Sequence, residues 1–151
     1  MHTLCGIVLW FIIFTGCVII AGSTPLMLFD VPSFLIVAGF DLAALLVSGG
    51  TGDFARAMKQ LFKKDAVLTK DELLGAAAVF GLMNACSIYG GILGFVMGLV
   101  LMLASVMNPE NIGPYMAVAC ITVVYGLSLS ILIFLPGRSR FIRLATSMQK
   151  N

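Results

Sequence analysis

One aspartate inside an apolar stretch is the residue of this sequence with the clearest capacity for chemistry. Asp41 lies about eight residues into an apolar run from Ser33 to Gly49 that has no other charged side chain. If this run crosses a membrane, Asp41 lies close to its middle, where a carboxyl group is costly and is typical of a proton or ion pathway or of a helix contact. The apolar runs of the chain contain no Lys, Arg or His, so the sequence offers Asp41 no ion-pair partner.

Three states are open to the Asp41 carboxyl group. It is protonated and hydrogen-bonded, for example to Thr15 or Tyr125, or it binds a cation, or it faces water. Desolvation without a positive partner favours the neutral acid. Asp41 shares a helical stripe of small and polar residues with Ser33 and Ser48, and such a stripe is expected to face protein rather than lipid. Ion handling and a structural hydrogen bond both remain possible roles.

Other reactive residue types are too sparse for catalysis. The single histidine, His2, has no nucleophile or acid at a suitable spacing, and the sequence has no cluster of metal ligands. The cysteines Cys5, Cys17, Cys86 and Cys120 lie in or near apolar runs without metal-like spacing, so they are expected to pack as small hydrophobic residues. The sequence therefore predicts no enzyme, no metal site and no nucleic-acid binding.

Composition predicts an all-α membrane protein. Hydrophobic residues make up 60% of the chain and charged residues only 11%. Four runs are long enough to cross a hydrocarbon core of about 30 Å, at approximately 4–22, 33–49, 76–107 and 115–135. We expect a single membrane domain over 1–151 with a connection at 50–75 and a basic tail at 136–151.

The positions of the basic residues predict the topology. All nine lie either between Arg56 and Lys70 or between Arg138 and Lys150, whereas the two other turns contain only Asp30 and Glu110 as charged residues. Because basic residues accumulate on the cytoplasmic side, both termini and the 50–75 connection are expected in the cytoplasm.

The 50–75 connection contains a predicted amphipathic helix. Its apolar face suits an anionic membrane surface or the ends of the other helices, and its basic face carries Arg56, Lys59, Lys63 and Lys64. Thr69 and Glu72 then form a capping box, so the third long helix is expected to begin near Lys70 and to extend into the cytoplasm. The fourth is expected to continue into the basic tail, with a hinge or kink at Pro136.

Glycines in the third run recur every fourth residue. Gly90, Gly94 and Gly98 form one stripe on a helix and permit close approach of a neighbouring backbone. Gly91 in the same run and Gly126 in the fourth are further predicted packing positions.

Three segments resemble the flagellar stator A subunits of the MotA/TolQ/ExbB family. The segment 29–47 (FDVPSFLIVAGFDLAALLV) resembles their second span, and 91–103 (GILGFVMGLVLML) resembles their third. The segment 108–136 (NPENIGPYMAVACITVVYGLSLSILIFLP) resembles their turn and fourth span.

The resemblance implies a ring-forming subunit, a homopentamer, in the bacterial inner membrane. The third and fourth spans of such a ring surround two copies of a single-span MotB/ExbD/TolR-like partner that carries an essential aspartate, and H⁺ or Na⁺ moves past it; no other cofactor is implied. On this basis the glycine stripe either lies in the inner wall of the ring or only joins helices within one subunit. Flagellar stators carry a large cytoplasmic domain between the second and third spans, so this chain resembles a minimal form without it.

Several positions depart from the family pattern. Phe95 and Val123 stand where small or hydroxyl residues are common, and five copies of Phe95 around a narrow centre would form a hydrophobic constriction. Ile88 replaces a common proline, whereas Pro136 is retained. Together with Asp41, the candidates for an ion pathway are the hydroxyl residues Thr122, Ser87 and Ser130.

Two alternatives remain at this point. Thr122 either takes part in the ion path or bonds its own helix backbone. The protein is either the ring of an ion-driven motor or a non-conducting scaffold, derived from the same ring, that assembles and holds a partner.

Overall fold

A computed structural model describes residues 2–62, 69–105 and 109–148, and all regular structure in these ranges is helical. This result confirms the all-α prediction. The long helices are α1 (His2–Ile20), α2 (Val31–Val47), α3 (Thr51–Phe62), α4 (Lys70–Ala104), α5 (Ile112–Leu129) and α6 (Leu135–Ser147). Short 3₁₀ helices occur at Pro25–Leu28 and Pro109–Asn111, and a π-helical turn at Ser130–Phe134 joins α5 to α6.

Two of these helices are long and apolar enough to cross a membrane. They are α4 and the continuous 36-residue helix Ile112–Ser147, which comprises α5, the π turn and α6. The pair α2 and α3, bent by 117° between its two helices, is a third candidate, whereas the apolar helix over Gly6–Ile20 is shorter. The chain is therefore a membrane protein, and the four-span topology stays a prediction.

The capping box at the start of α4 is confirmed. The Thr69 hydroxyl accepts a hydrogen bond from the Glu72 N–H at 3.4 Å, and the Thr69 N–H donates to Glu72 Oε2 at 2.9 Å. From this start α4 continues for 35 residues, about 52 Å at 1.5 Å per residue, which exceeds the hydrocarbon thickness of about 30 Å. Part of α4 therefore lies outside the hydrocarbon region.

The main apolar core lies at the end of the bundle where α3, the first half of α4 and α6 meet. Phe80 and Phe141 are almost completely buried there, with ring centroids 5.4 Å apart. Phe134 packs edge-on against Phe80 at 6.0 Å. The other buried residues of this core are Leu45, Ala57, Leu73, Ala76, Ala77, Val79, Met83 and Ala145.

The predicted amphipathic helix is confirmed as α3 over Thr51–Phe62. Its apolar face packs against the core rather than being left free: Ala57 is buried and the Phe54 ring stacks on Phe80 at 5.8 Å. Of the two alternatives for this helix, the structure has it on the ends of the chain's own helices. Lys63 and Lys64 lie outside the described residues.

The glycines of α4 bring its backbone against α5. A Cβ atom built on Gly98 would lie 2.5 Å from the Cβ of Ala119, and one on Gly94 would lie 3.0 Å from the Cβ of Thr122. Gly91 faces the Gly126 backbone, and Gly126 in turn faces the Ser87 carbonyl. Four glycines thus join α4 and α5 within one chain.

Gly90 has a different neighbour. It faces α2, where a built Cβ would lie 3.2 Å from the Cβ of Phe40. All three glycines of the predicted stripe are buried by helices of the same chain, and a place in the inner wall of a ring stays a prediction.

The helix continues through Pro136 without a break. Proline lacks an N–H group, and its ring crowds the carbonyl group four residues earlier. The π turn Ser130–Phe134 immediately precedes Pro136 and widens the helix locally. Such a widening is one way in which a helix accommodates a proline ring. Gly137 then packs directly beneath the Phe80 ring. Motion about Pro136 as a hinge stays a prediction.

Replacement of Gly98 by alanine tests the close approach of α4 and α5. The added methyl group would overlap the Ala119 side chain, so Gly98→Ala should destabilise the fold by about 1–3 kcal/mol. Gly39→Ala is the matched control, because Gly39 lies within α2 and a Cβ there meets no atom within 4 Å. It should be neutral or stabilising by up to about 1 kcal/mol through helix propensity. Thermal unfolding in detergent measures both changes, and equal tolerance of the two substitutions would contradict the close packing.

The capping box should make the first turn of α4 sensitive to pH. The backbone N–H of Thr69, and then its hydroxyl, bond the Glu72 carboxylate and lower its pKa. Stabilisation of this turn is therefore present above the ordinary pKa of glutamate and lost as the pH falls through the lowered pKa. Amide hydrogen exchange at residues 70–75, corrected for intrinsic rates, should show this loss in the acid range.

Glu72→Gln should remove this pH dependence. Asp71→Asn, a change of the same kind in the same turn, should retain it. A pH dependence that survives Glu72→Gln would refute the role of the carboxylate.

Candidate functional site

Asp41 is buried between α2 and α4. Its side chain lies on the face of α2 that also buries Ser33, Val37 and Leu45, at a spacing of four residues. The Ser87 hydroxyl of α4 donates a hydrogen bond to Asp41 Oδ2 at 2.6 Å. Ser87 is completely buried and Asp41 is only 6% exposed, so of the three states open to Asp41 the structure of the single chain favours the hydrogen-bonded one over one that faces water.

The hydrogen-bond partner differs from those expected. The sequence suggested Thr15 or Tyr125, but the bond comes from Ser87, 46 residues away along the chain. The Tyr125 hydroxyl instead accepts the backbone N–H of Asp30 at 3.0 Å. The rotation of each helix about its axis decides which residues face each other. Sequence spacing does not predict this rotation for two helices that are far apart in the chain.

The second carboxyl oxygen of Asp41 has no partner. Oδ1 is buried and makes no hydrogen bond with any described residue. A buried ionised carboxylate with one hydrogen bond is unfavourable, because burial removes the water that otherwise solvates its charge. This unpartnered oxygen is the most unusual feature of the membrane part of the chain.

The Asp41–Ser87 pair lies near the middle of the apolar part of the bundle. The Ser87 carbonyl lies against Gly126, and Gly126 is close to the midpoint of the apolar run 115–135. Neither α2 nor α5 contains a Lys, Arg or His, and α4 contains none beyond Lys70 at its first turn. Within these helices there is consequently no cation to neutralise an ionised Asp41.

The remaining hydroxyl candidates already have partners. Thr122 is fully buried and its hydroxyl donates to the Ala119 carbonyl of the same helix at 2.7 Å, which is the backbone alternative raised by the sequence. Ser130, in the π turn, donates to Asn84 Oδ1 of α4 at 2.6 Å. In the structure Thr122 and Ser130 thus serve helix geometry and helix contacts, and any role in an ion path stays a prediction.

Asn84 is a residue whose contact the sequence did not reveal. It precedes Ser87 by three residues, so both side chains lie on one face of α4 and make cross-helix bonds on consecutive turns. The spacing of two polar residues within an apolar helix was the available signal. Their different partners, α2 for Ser87 and the π turn for Asn84, were not predictable from it.

The start of α2 is tied to α5 by a second polar contact. Asp30 caps α2 by accepting the Ser33 N–H at 2.9 Å. The Ser33 hydroxyl donates to Asp30 and also lies 3.2 Å from the Val118 carbonyl of α5. The sequence had indicated Asp30 only as a charge in a turn.

The predicted constriction residues are half-buried. Phe95 keeps part of its ring exposed, and the Val123 backbone packs against Gly91 of the same chain. Their role in a pore stays a prediction.

At the other end of the bundle Arg56 and Lys59 are exposed, and Arg56 contacts Asp53 at 3.0 Å and Glu72 at 3.9 Å. Contact of these basic residues with a membrane surface also stays a prediction.

Metal binding finds no support in the described ranges. Within 2–62, 69–105 and 109–148 no three His, Cys, Asp or Glu side chains are grouped so that they could hold a metal ion.

The fold and the buried acid define a class of protein: a multi-pass helical membrane protein whose small-residue helix contacts surround an intramembrane ionisable group. A family model described as the MotA/TolQ/ExbB proton channel family matches residues 37–151. The chain belongs to this family, and the matched region begins within α2 and includes all of α3 to α6.

Two curated relatives are flagellar proteins. The chain is 39% identical over 92 residues to Chemotaxis protein PomA of Vibrio alginolyticus, an alignment that covers 61% of this chain and 35% of the relative. It is 37% identical over 103 residues to Motility protein A of Cereibacter sphaeroides, which covers 66% of this chain and 38% of the relative. The aligned part of the chain thus corresponds to little more than a third of the length of either relative.

Ser87→Ala should show that the Asp41–Ser87 contact stabilises the packing of α2 on α4. The substitution leaves the buried carboxyl group without its hydrogen-bond donor, so the expected cost is about 1–3 kcal/mol. Ser128→Ala is the matched control, because the Ser128 hydroxyl bonds only the Val124 carbonyl of its own helix at 2.6 Å among the described contacts. It should change stability by less than about 0.5 kcal/mol. Thermal unfolding in detergent distinguishes the two, and a Ser87→Ala variant as stable as the control would contradict the contact.

Proposed function

We propose that this protein is the ring-forming membrane subunit of an ion-driven motor or energy-transducing complex. The match of the MotA/TolQ/ExbB proton channel family to residues 37–151 is the observation that carries this proposal. The flagellar relatives support it, because their alignments cover 61% and 66% of this chain. We place the protein in the bacterial inner membrane, with both termini in the cytoplasm, on the charge distribution of its turns.

The proposed assembly is a pentamer around two copies of a single-span MotB/ExbD/TolR-like partner. The close contact of α4 and α5 supports a rigid building block for such a ring, since glycine-to-backbone packing holds two long helices at a fixed spacing. The outer surface of α4 is apolar, with Ile92, Val96 and Val100 each about half exposed in the single chain. Neighbouring subunits, partner helices or lipid would cover that surface.

The transported ion is H⁺ or Na⁺, and we place its path between ring and partner. Phe95 and Val123 supply no polar atoms to such a path, and the Thr122 hydroxyl is bonded to its own helix. The ionisable group that carries the ion past the inner wall would therefore come from the partner's aspartate. Thr122 takes part only if its hydroxyl turns away from the Ala119 carbonyl.

Output of the motor is proposed to pass through the partner rather than through a large cytoplasmic domain. The 50–75 connection folds in its described part as α3, packed on the core formed with α4 and α6. Its exposed basic residues, among them Arg56 and Lys59, leave a small charged surface for lipid or for an adaptor protein. The proposed task is thus energy transduction by a minimal ring.

A non-conducting scaffold is the second candidate function. It is favoured by the apolar Phe95 and Val123 at positions where the family commonly has small or hydroxyl residues, and by the bonded state of Thr122. A scaffold would keep the glycine packing and the partner contact without moving an ion.

Reconstitution with and without a partner tests the two functions. The chain is expressed alone and with a genetically neighbouring single-span protein that has an aspartate in its span. Subunits are counted by native mass spectrometry, and liposomes containing H⁺- or Na⁺-sensitive dyes report flux. We expect a pentamer that conducts only with the partner, and loss of flux when the partner's aspartate is replaced by asparagine.

Each other outcome has a definite meaning. A stable assembly with the partner but without flux of either ion would overturn the motor proposal in favour of the scaffold. Flux from the ring alone would overturn the proposed path along the partner. A chain that stays monomeric in lipid would refute both functions.

A further inference from the structure

We propose that Asp41 is an exchangeable proton-binding site built into the subunit at the contact of α2 and α4. Two observations, one on each oxygen atom of the Asp41 carboxyl group, support this proposal. Oδ2 accepts a short hydrogen bond from Ser87, while Oδ1 is buried and has no partner among the described residues. The inference deepens the proposed function, since it adds a proton site in the ring to the aspartate expected on the partner.

A proton fits this site better than a metal cation. Hard cations such as Mg²⁺ and Ca²⁺ take six or more oxygen ligands. The described side chains bring only the Asp41 carboxyl group and the Ser87 hydroxyl together here, and the flanking residues of the same helix face, Val37 and Leu45, are apolar. A proton needs one oxygen atom, and Oδ1 supplies it.

The groups around Asp41 favour its neutral form. From α4 the facing groups are the Ser87 hydroxyl and the Cys86 thiol, which lies close enough to sense the Asp41 charge. On α5, the Thr122 hydroxyl donates to the Ala119 carbonyl and the Tyr125 hydroxyl accepts the Asp30 N–H. No cationic side chain occurs on α2, on α5, or on α4 beyond Lys70 at its first turn. Burial without a positive charge leaves the carboxylic acid as the favoured state.

The proton binds to and leaves a single atom, Asp41 Oδ1. On loading, a hydronium ion gives a proton, which forms an O–H bond at Oδ1, and the ion leaves as water; the carboxyl group becomes neutral while Ser87 keeps its bond to Oδ2. On release, that O–H bond breaks, the proton returns to water or passes to another carboxylate, and Asp41 keeps the negative charge. Because the buried anion would have only the Ser87 bond, release requires water or a polar group to reach Oδ1.

Infrared difference spectroscopy of the full chain in lipid tests this site without any partner. We expect a carbonyl band of a protonated carboxylic acid at neutral pH, and we expect it to shift in D₂O because the proton exchanges. Asp41→Asn should abolish the band. Ser87→Ala should move its frequency, because the hydrogen bond to Oδ2 is lost.

Asp30→Asn is the matched control. Asp30 lies at the start of α2, where its carboxyl group accepts hydrogen bonds from the Ser33 N–H and hydroxyl; it is not the proposed proton site, so its replacement should leave the band intact. Absence of the band at neutral pH, its persistence in Asp41→Asn, or a band without a D₂O shift would each overturn the proposal. The readout requires neither flux nor a ring, so its failure is distinguishable from failure of the proposed function.

Discussion

The contact of α4 with α5 is the constraint on which the rest of the membrane structure depends. Two apolar helices gain little from the hydrophobic effect inside lipid, so they associate through close packing and hydrogen bonds. Here Gly98 packs against Ala119, Gly94 packs against Thr122, and Gly91 and Gly126 then face each other. This approach fixes the rotation of α4, and with it the directions of Ser87 toward α2 and of Asn84 toward the π turn.

The far end of the bundle is held together by a different interaction. There α3 and α6 cover the first half of α4 with an aromatic cluster around Phe80, which includes Phe54 and Phe141. Such a core is the arrangement expected where burial removes apolar surface from water. Because α4 passes through both regions, its length connects the glycine-packed contact with α5 to this apolar core.

Local features of this fold were predictable because their causes are local. The capping box at Thr69 and the amphipathic α3 both follow from residues within one or two turns of each other. The partner of Asp41 was not predictable, because it depends on the relative rotation of α2 and α4. The two residues in contact, Asp41 and Ser87, are 46 positions apart in the chain. The glycine spacing indicated close packing, yet it left open whether the neighbour belonged to the same subunit. The π turn before Pro136 is a tertiary adjustment that no local sequence pattern predicted.

The chemistry of the Asp41–Ser87 contact bears on why an acid is found in this place. A neutral hydroxyl or amide at position 41 could also accept the Ser87 hydrogen bond, and it would avoid burying an ionisable group. The carboxyl group adds nothing to helix packing beyond what such a residue supplies, and it leaves one buried oxygen unsatisfied. Its distinguishing property is the ability to change charge at the middle of the bundle. A structural role accounts for the hydrogen bond at Oδ2, and protonation would remove the charge whose burial is unfavourable at this position.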